Sequence, residues 1–123
     1  MKQALLVFLG GGLGSSLRFF VSKALNPYIQ HFFLGTFVVN IIGCLLIGCI
    51  LGFSAKNNIL SENYTLLLAT GFCGGFTTFS TFAFEKYSLL KSGEFLYFSI
   101  YLTSSIAVGV FAVSLGLWIA KLI

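Results

Sequence analysis

The chain has 123 residues, of which 58% are hydrophobic and 8% charged, with a mean hydropathy of +1.01. No soluble domain of this length tolerates such a composition on its surface, so the protein is expected in a membrane. Seven Lys or Arg stand against three Glu, Asp is absent and His31 is the single histidine, a set too sparse for a Ser-His-Asp triad, a carboxylate dyad or a multi-histidine metal site, and an enzyme is not expected.

Uncharged apolar runs of bilayer-spanning length predict four helices, at about 4–21, 32–53, 64–84 and 95–120. The connections 22–31, 54–63 and 85–94 are short and polar, and they hold Pro27 and most of the charges. The fold class is therefore all-α and integral to the membrane, one domain over 1–123 with its helices in up-down order. Lys2 followed by a short apolar run has the outline of a signal peptide, but Arg18 interrupts it and no soluble domain follows. In the first span Gly10 and Gly14, four apart, suit a close helix crossing. Arg18, near the span's end, either draws anions into a vestibule or binds helix-terminal carbonyls.

His31, before the second span, reads as a loop residue and not a ligand. Within that span Asn40 lies near the middle, where an amide is costly unless hydrogen-bonded. It either lines a pore or ties two helices together. Thr36, one turn earlier on the same face, extends the polar path or bonds its own helix. Gly48 and Gly52 repeat the close-packing spacing. Cys44, Cys49 and Cys73 fall inside apolar stretches, which suits small packing residues and neither a disulfide framework nor a zinc site.

The third run, TLLLATGFCGGFTTFSTFAFE (65–85), is unusually rich in Gly, Thr and Ser, with Gly74 at its midpoint. The pair Gly74 and Gly75, followed by Thr77, Thr78, Ser80 and Thr81, predicts a helix broken at the bilayer midplane. Such a break frees carbonyls that can coordinate a cation and presents a half-helix start that favours an anion. The alternative is a continuous helix whose glycines allow a close crossing. Phe79 and Phe82, three apart, would show rings on one helical face beside the hydroxyls of Ser80 and Thr81. Ring edges are electropositive and attract a small hard anion, although a Phe pair also simply fills a helix interface. Glu85 closes the run, with a rim salt bridge to Lys86 or Lys91 as its plain role. In the fourth span Tyr101 and Ser105, with Thr103 and Ser104 nearby, form a hydroxyl stripe that Gly109 interrupts one turn on. Trp118 and Lys121 read as an interfacial anchor.

With both termini on one side, Lys2, Lys56 and Lys121 oppose Lys23, Lys86 and Lys91. That balance cannot fix orientation, even with Arg18 added to the second side. It predicts dual topology and an antiparallel homodimer whose two-fold axis lies in the membrane plane.

Three stretches, GGLGSSLRF (11–19), GTFVVNIIGCLLIG (35–48) and GFCGGFTTFSTFAFE (71–85), resemble in order the signatures of the Fluc (CrcB) family of small fluoride channels. The resemblance implies four-helix subunits in dual-topology antiparallel homodimers of the cell inner or plasma membrane, with two pores that export fluoride passively from the cytoplasm. It implies that Phe79 and Phe82 line the path by their ring edges, with Ser80 and Thr81 as adjacent hydroxyls. Asn40 matches the family's pore asparagine, Tyr101 and Ser105 its polar track, and Arg18 its first-helix arginine. The carbonyls of Gly74 and Thr77 match a central sodium site at the dimer interface, where two subunits would supply four oxygens. Glu85 matches a recurrent acid. The implied partners are fluoride, sodium, lipid and a second copy of the chain, with no nucleic acid.

A small dual-topology multidrug exporter shares the length and charge balance but uses an embedded acid in its first helix. No acid precedes Glu62 here, and none is expected inside a span. A purely structural subunit would leave the midplane polar groups unexplained.

Overall fold

The computed structural model describes residues 1–56 and 59–123; Asn57 and Asn58, in the second predicted connection, lie outside the described residues. Among the described residues all regular structure is helical, and four helical segments are long and apolar enough to cross a membrane. Helix α1 (Lys2–Leu25) and helix α2 (Leu34–Ala55) form the first two. The third comprises α3 (Glu62–Thr65), a wide π-helical stretch Leu66–Cys73, α4 (Gly74–Phe76) and α5 (Ser80–Lys91). Helix α6 (Phe95–Leu122) is the fourth. The protein is thus a multi-pass membrane protein.

The helices outrun the apolar runs at several ends, because charge marked the limits too early. Ser22 and Lys23 belong to α1, which gives way at Leu25 to a short 3-10 turn carrying Pro27. Asn26 then has a second use: its Oδ1 accepts from the amides of Gly35, at 2.8 Å, and Thr36, at 3.3 Å, two of the orphan donors at the start of α2. The stretch 85–91, expected as a connection, is helical to Lys91. The real connection is 92–94, closed by Gly93 at φ 75°. Gly93 N–H reaches the Leu90 carbonyl and Glu94 N–H the Leu89 carbonyl, the paired bonds of a Schellman stop, which a residue with a Cβ adopts only with strain.

Two glycine seams hold the bundle. The α2–α6 seam joins two regular helices: a Cβ on Gly48 would strike the Val113 carbonyl, and one on Gly116 the Leu45 carbonyl. The seam between α1 and the third segment works in the same way. A Cβ on Gly10 would strike the Leu67 carbonyl, one on Gly14 the Phe72 carbonyl, and one on Gly75 the Gly11 carbonyl. In lipid, where burial of apolar surface gives no drive, this backbone approach supplies the association. The helices within each seam run parallel. Gln3 near the start of α1 donates to Glu62 at the start of α3 at 3.3 Å, and Lys56 after α2 donates to the carbonyl of Lys121 near the end of α6 at 3.3 Å.

Candidate functional site

The helix of the third segment stops where Thr77 becomes extended, at φ −84° and ψ 161°, and resumes at Ser80. The glycine pair is not where it stops. Gly74 and Gly75 are helical, and the interruption falls at 77–79, since Gly75 is used for packing on Gly11 while polar side chains replace the lost backbone bonds further on. Asn40 of α2 is the main replacement. Its Oδ1 accepts from the Thr78 amide at 2.8 Å and its Nδ2 donates to the Thr78 carbonyl at 3.1 Å, so one side chain brackets one residue and serves the peptide units on both sides of it. The second N–H of that amide group stays available to another acceptor. Thr78 Oγ1 in turn accepts from the Thr81 amide at 3.2 Å, as an N-cap does for α5.

These bonds have a consequence for carbonyls. In a continued helix the amides of Thr78 and Thr81 would satisfy the carbonyls of Gly74 and Thr77. Both amides are diverted, to Asn40 and to Thr78 Oγ1, so the two carbonyls lose their helical donors. A Cβ on Gly74 would meet nothing within 4 Å, so that face is open in the single chain. An oxygen-only, carboxylate-free donor pair on an open face suits a hard monovalent cation shared with further oxygens. The third carbonyl, that of Gly75, is held differently: Arg18 Nε donates to it at 3.0 Å and Ser15 Oγ at 3.4 Å. Arg18 thus binds a helix-terminal carbonyl, where a cation also complements the helix dipole.

Two cavities flank the interruption, and Thr78 lines both. One, of about 520 Å³, has Asn40, Thr77, Phe79, Phe82 and Ser105 in its walls, together with Gly74, Cys44 and Cys73. The Phe79 and Phe82 ring centroids are 6.2 Å apart and tilted by 38°, with Phe79 80% exposed. Phe79 is the N-cap of α5, already helical at φ −94° and ψ −37°, and its carbonyl accepts from the Ala83 amide, so the two rings lie on one side of the helix start and line the same cavity. The other cavity, of about 510 Å³, is lined by Arg18, Lys23, Ser15, Ser22 and Thr81. Thr81 therefore faces the basic cavity and not the rings, while Ser80 is exposed with its hydroxyl 3.5 Å from Thr78 Oγ1.

The fourth-span stripe divides. Ser105 lines the first cavity, and its buried Oγ has no hydrogen-bond partner among the described residues. Tyr101 is fully buried and donates its hydroxyl to Glu85 Oε2 at 2.8 Å, edge-on to the Phe82 ring with centroids 5.4 Å apart. Thr36 is equally buried and donates to Glu85 Oε1 at 2.6 Å. Thr36 and Asn40 share a face of α2, as expected, but Thr36 serves the Glu85 knot instead of extending the Asn40 path. Gly109 is buried with only Cys44 and Ile41 side chains near the place of a Cβ, so it faces α2.

Glu85 and Lys86 overturn their expected rim salt bridge and the expectation that no carboxylate lies inside a span. Both are buried within the third segment, at 4% and 6% exposure. Glu85 takes its bonds from Thr36 and Tyr101, while Lys86 faces aromatic rings. The signal for Thr78, missed in the sequence, was its place three residues before Thr81 at a helix start. That for Lys86 was its spacing of four from Phe82.

The family model for the CrcB-like protein, Camphor Resistance (CrcB), matches residues 5–117. The chain belongs to the CrcB family. Among curated relatives, the fluoride-specific ion channel FluC of Flavobacterium psychrophilum is 45% identical over 122 residues, 98% of each chain. That of Chlorobium phaeobacteroides (strain DSM 266 / SMG 266 / 2430) is 47% identical over 125 residues, covering 99% of this chain and 97% of the relative. That of Bacteroides fragilis is 48% identical over 120 residues, 94% of each. CrcB relatives carry the name of a channel and not of an enzyme, and this chain is not an enzyme.

Proposed function

We propose that the chain is a fluoride-selective passive channel that exports fluoride, built as an antiparallel dual-topology homodimer with two pores and a third span broken at the bilayer midplane. The observation that carries this reading is the meeting of tilted Phe79 and Phe82 rings, a spare Asn40 N–H, the Ser105 hydroxyl and no acid in the wall of one cavity at the helix interruption. Fluoride holds its water tightly, and a path that admits it has to offer replacement donors. Asn40 and Ser105 supply such N–H and O–H donors, and ring edges supply positive potential that needs no proton. The relatives' printed names point to the same ion.

Arg18 and Lys23 raise the anion concentration in the basic cavity, and Thr78 joins that cavity to the one lined by the rings. Phe79, mostly exposed in the single chain, is placed to meet a second subunit, and the open face at Gly74 supports the same contact. The carbonyls of Gly74 and Thr77, doubled by the two-fold axis, would hold one sodium ion, which would supply fixed positive charge between two anion paths. With Lys86 inside the bundle, Lys2, Lys56 and Lys121 oppose Lys23, Lys91 and Arg18, a near-balance that supports insertion in both orientations.

Efflux from liposomes, followed with fluoride and chloride electrodes, tests the function. Fluoride release that far outruns chloride release is the expected result; equal release of both, or none from a well-folded dimer, overturns it. Labelling of a C-terminal tag from each side of the membrane tests the topology, with accessibility from one side only as the contrary result.

A further inference from the structure

Among the described residues Lys86 is the one cation placed over the Phe82 ring, and nothing in the proposed conduction path uses it. Its side chain is buried, yet among the described residues its Nζ has no hydrogen-bond partner. It lies 4.0 Å from the centroid of the Phe82 ring and 2.9 Å from that of Tyr101. An ammonium kept out of water and unbonded is costly, and the two ring faces are what offset that cost here. The spacing makes the contact local, because Lys86 follows Phe82 by one helical turn. Tyr101 is further fixed by its bond to Glu85, so the second ring cannot turn away.

Resting on the fluoride reading, we infer that Lys86 is a positioning and specificity-determining residue for the anion, acting through the Phe82 ring. The ring's negative face is the one that would repel an anion, and Lys86 covers it. The cation pins the ring with its edge left for the cavity and draws electron density toward its own side, which makes that edge more positive. The Phe82 and Tyr101 rings stand T-shaped to each other at 72° with Lys86 Nζ over both, so one ammonium orients both aromatic groups between Glu85 and the cavity. Lys86 thus sets the affinity of the ring edge without touching the ion.

The test compares wild type with Lys86→Met and Lys86→Gln, which remove the charge at similar length, and Lys86→Arg, which keeps it. Fluoride efflux from liposomes holding equal amounts of folded protein is expected to fall about tenfold in either neutral variant and to stay within about threefold in Lys86→Arg. A second readout does not depend on transport. A nitrile placed on the ring at position 82, as 4-cyanophenylalanine, is expected to change its stretching frequency in Lys86→Met and to keep it in Lys86→Arg. Wild-type efflux matched by the neutral variants, or a nitrile band indifferent to Lys86, would overturn the inference while leaving the channel reading intact. Wild type without selective fluoride efflux would remove both.

Discussion

The two glycine seams are chemically alike and structurally different. Gly48 and Gly116 bring two uninterrupted helices, α2 and α6, into backbone contact. Gly10, Gly14 and Gly75 do the same for α1 and the third segment, yet there the chain widens into a π-helix and then leaves the helix at 77–79. Close packing is therefore not what breaks the helix. The difference lies on α2, where Asn40 offers a donor and an acceptor to the main chain of Thr78 and so makes an interruption affordable in lipid. The α2–α6 seam is scaffold, whereas the other seam anchors a segment whose freed carbonyls and side chains face two cavities.

The largest effect is expected where the seams are filled. Gly75→Val and Gly116→Val both drive a side chain into opposing backbone and should destabilise the protein by more than ~3 kcal/mol, seen as loss of folded material in detergent. If Gly75→Val alone were tolerated, the two seams would not be equivalent scaffolds.

Asn40→Leu comes next. It leaves the Thr78 amide and carbonyl unpaired at a cost of about 3 kcal/mol, and fluoride efflux should fall about a hundredfold. The α2–α6 seam should survive, and hydrogen exchange would show loosening confined to the residues around 77–79. Loosening spread evenly over all four helices would deny the bracket its local role.

Charge explains what the sequence hid. The spans were legible because apolar runs of bilayer length are unambiguous, and the close-packing glycines because their spacing is regular. Glu85 and Lys86 were not, since a charged pair after an apolar run reads as a span edge. Here Thr36, Tyr101 and two ring faces satisfy that pair inside the bundle. The position of the break was misplaced for a related reason: glycine signals flexibility, but Gly74 and Gly75 stay helical and partner supply from Asn40 decides where the chain leaves the helix. Asn40, Phe82 and Ser105 stood out as candidates because their types are unusual or patterned at such depth, and the structure brings them to one cavity; the division of Tyr101 from Ser105 depended on which neighbours they face.

A smaller effect is expected at Glu85. Glu85→Gln keeps one acceptor for Thr36 or Tyr101 and should cost about 1 kcal/mol, measured as a modest fall in thermal midpoint, with Glu85→Ala costing more.

The smallest effect within one subunit belongs to Gly74, the neighbour of the tightly packed Gly75. Gly74→Ala meets nothing within 4 Å and should change subunit stability by less than ~0.5 kcal/mol. If the open face is the dimer contact, the same change should still weaken dimerisation and sodium dependence in size-exclusion and crosslinking measurements. A variant that dimerises normally and keeps its response to sodium would place the interface elsewhere.

The most direct measurement is fluoride and chloride efflux from liposomes carrying the Phe79→Ile, Phe82→Ile double variant beside wild type. Selective fluoride efflux that is lost in a variant still folded and dimeric is the result expected of a path lined by ring edges. Undiminished fluoride efflux from that variant would contradict it.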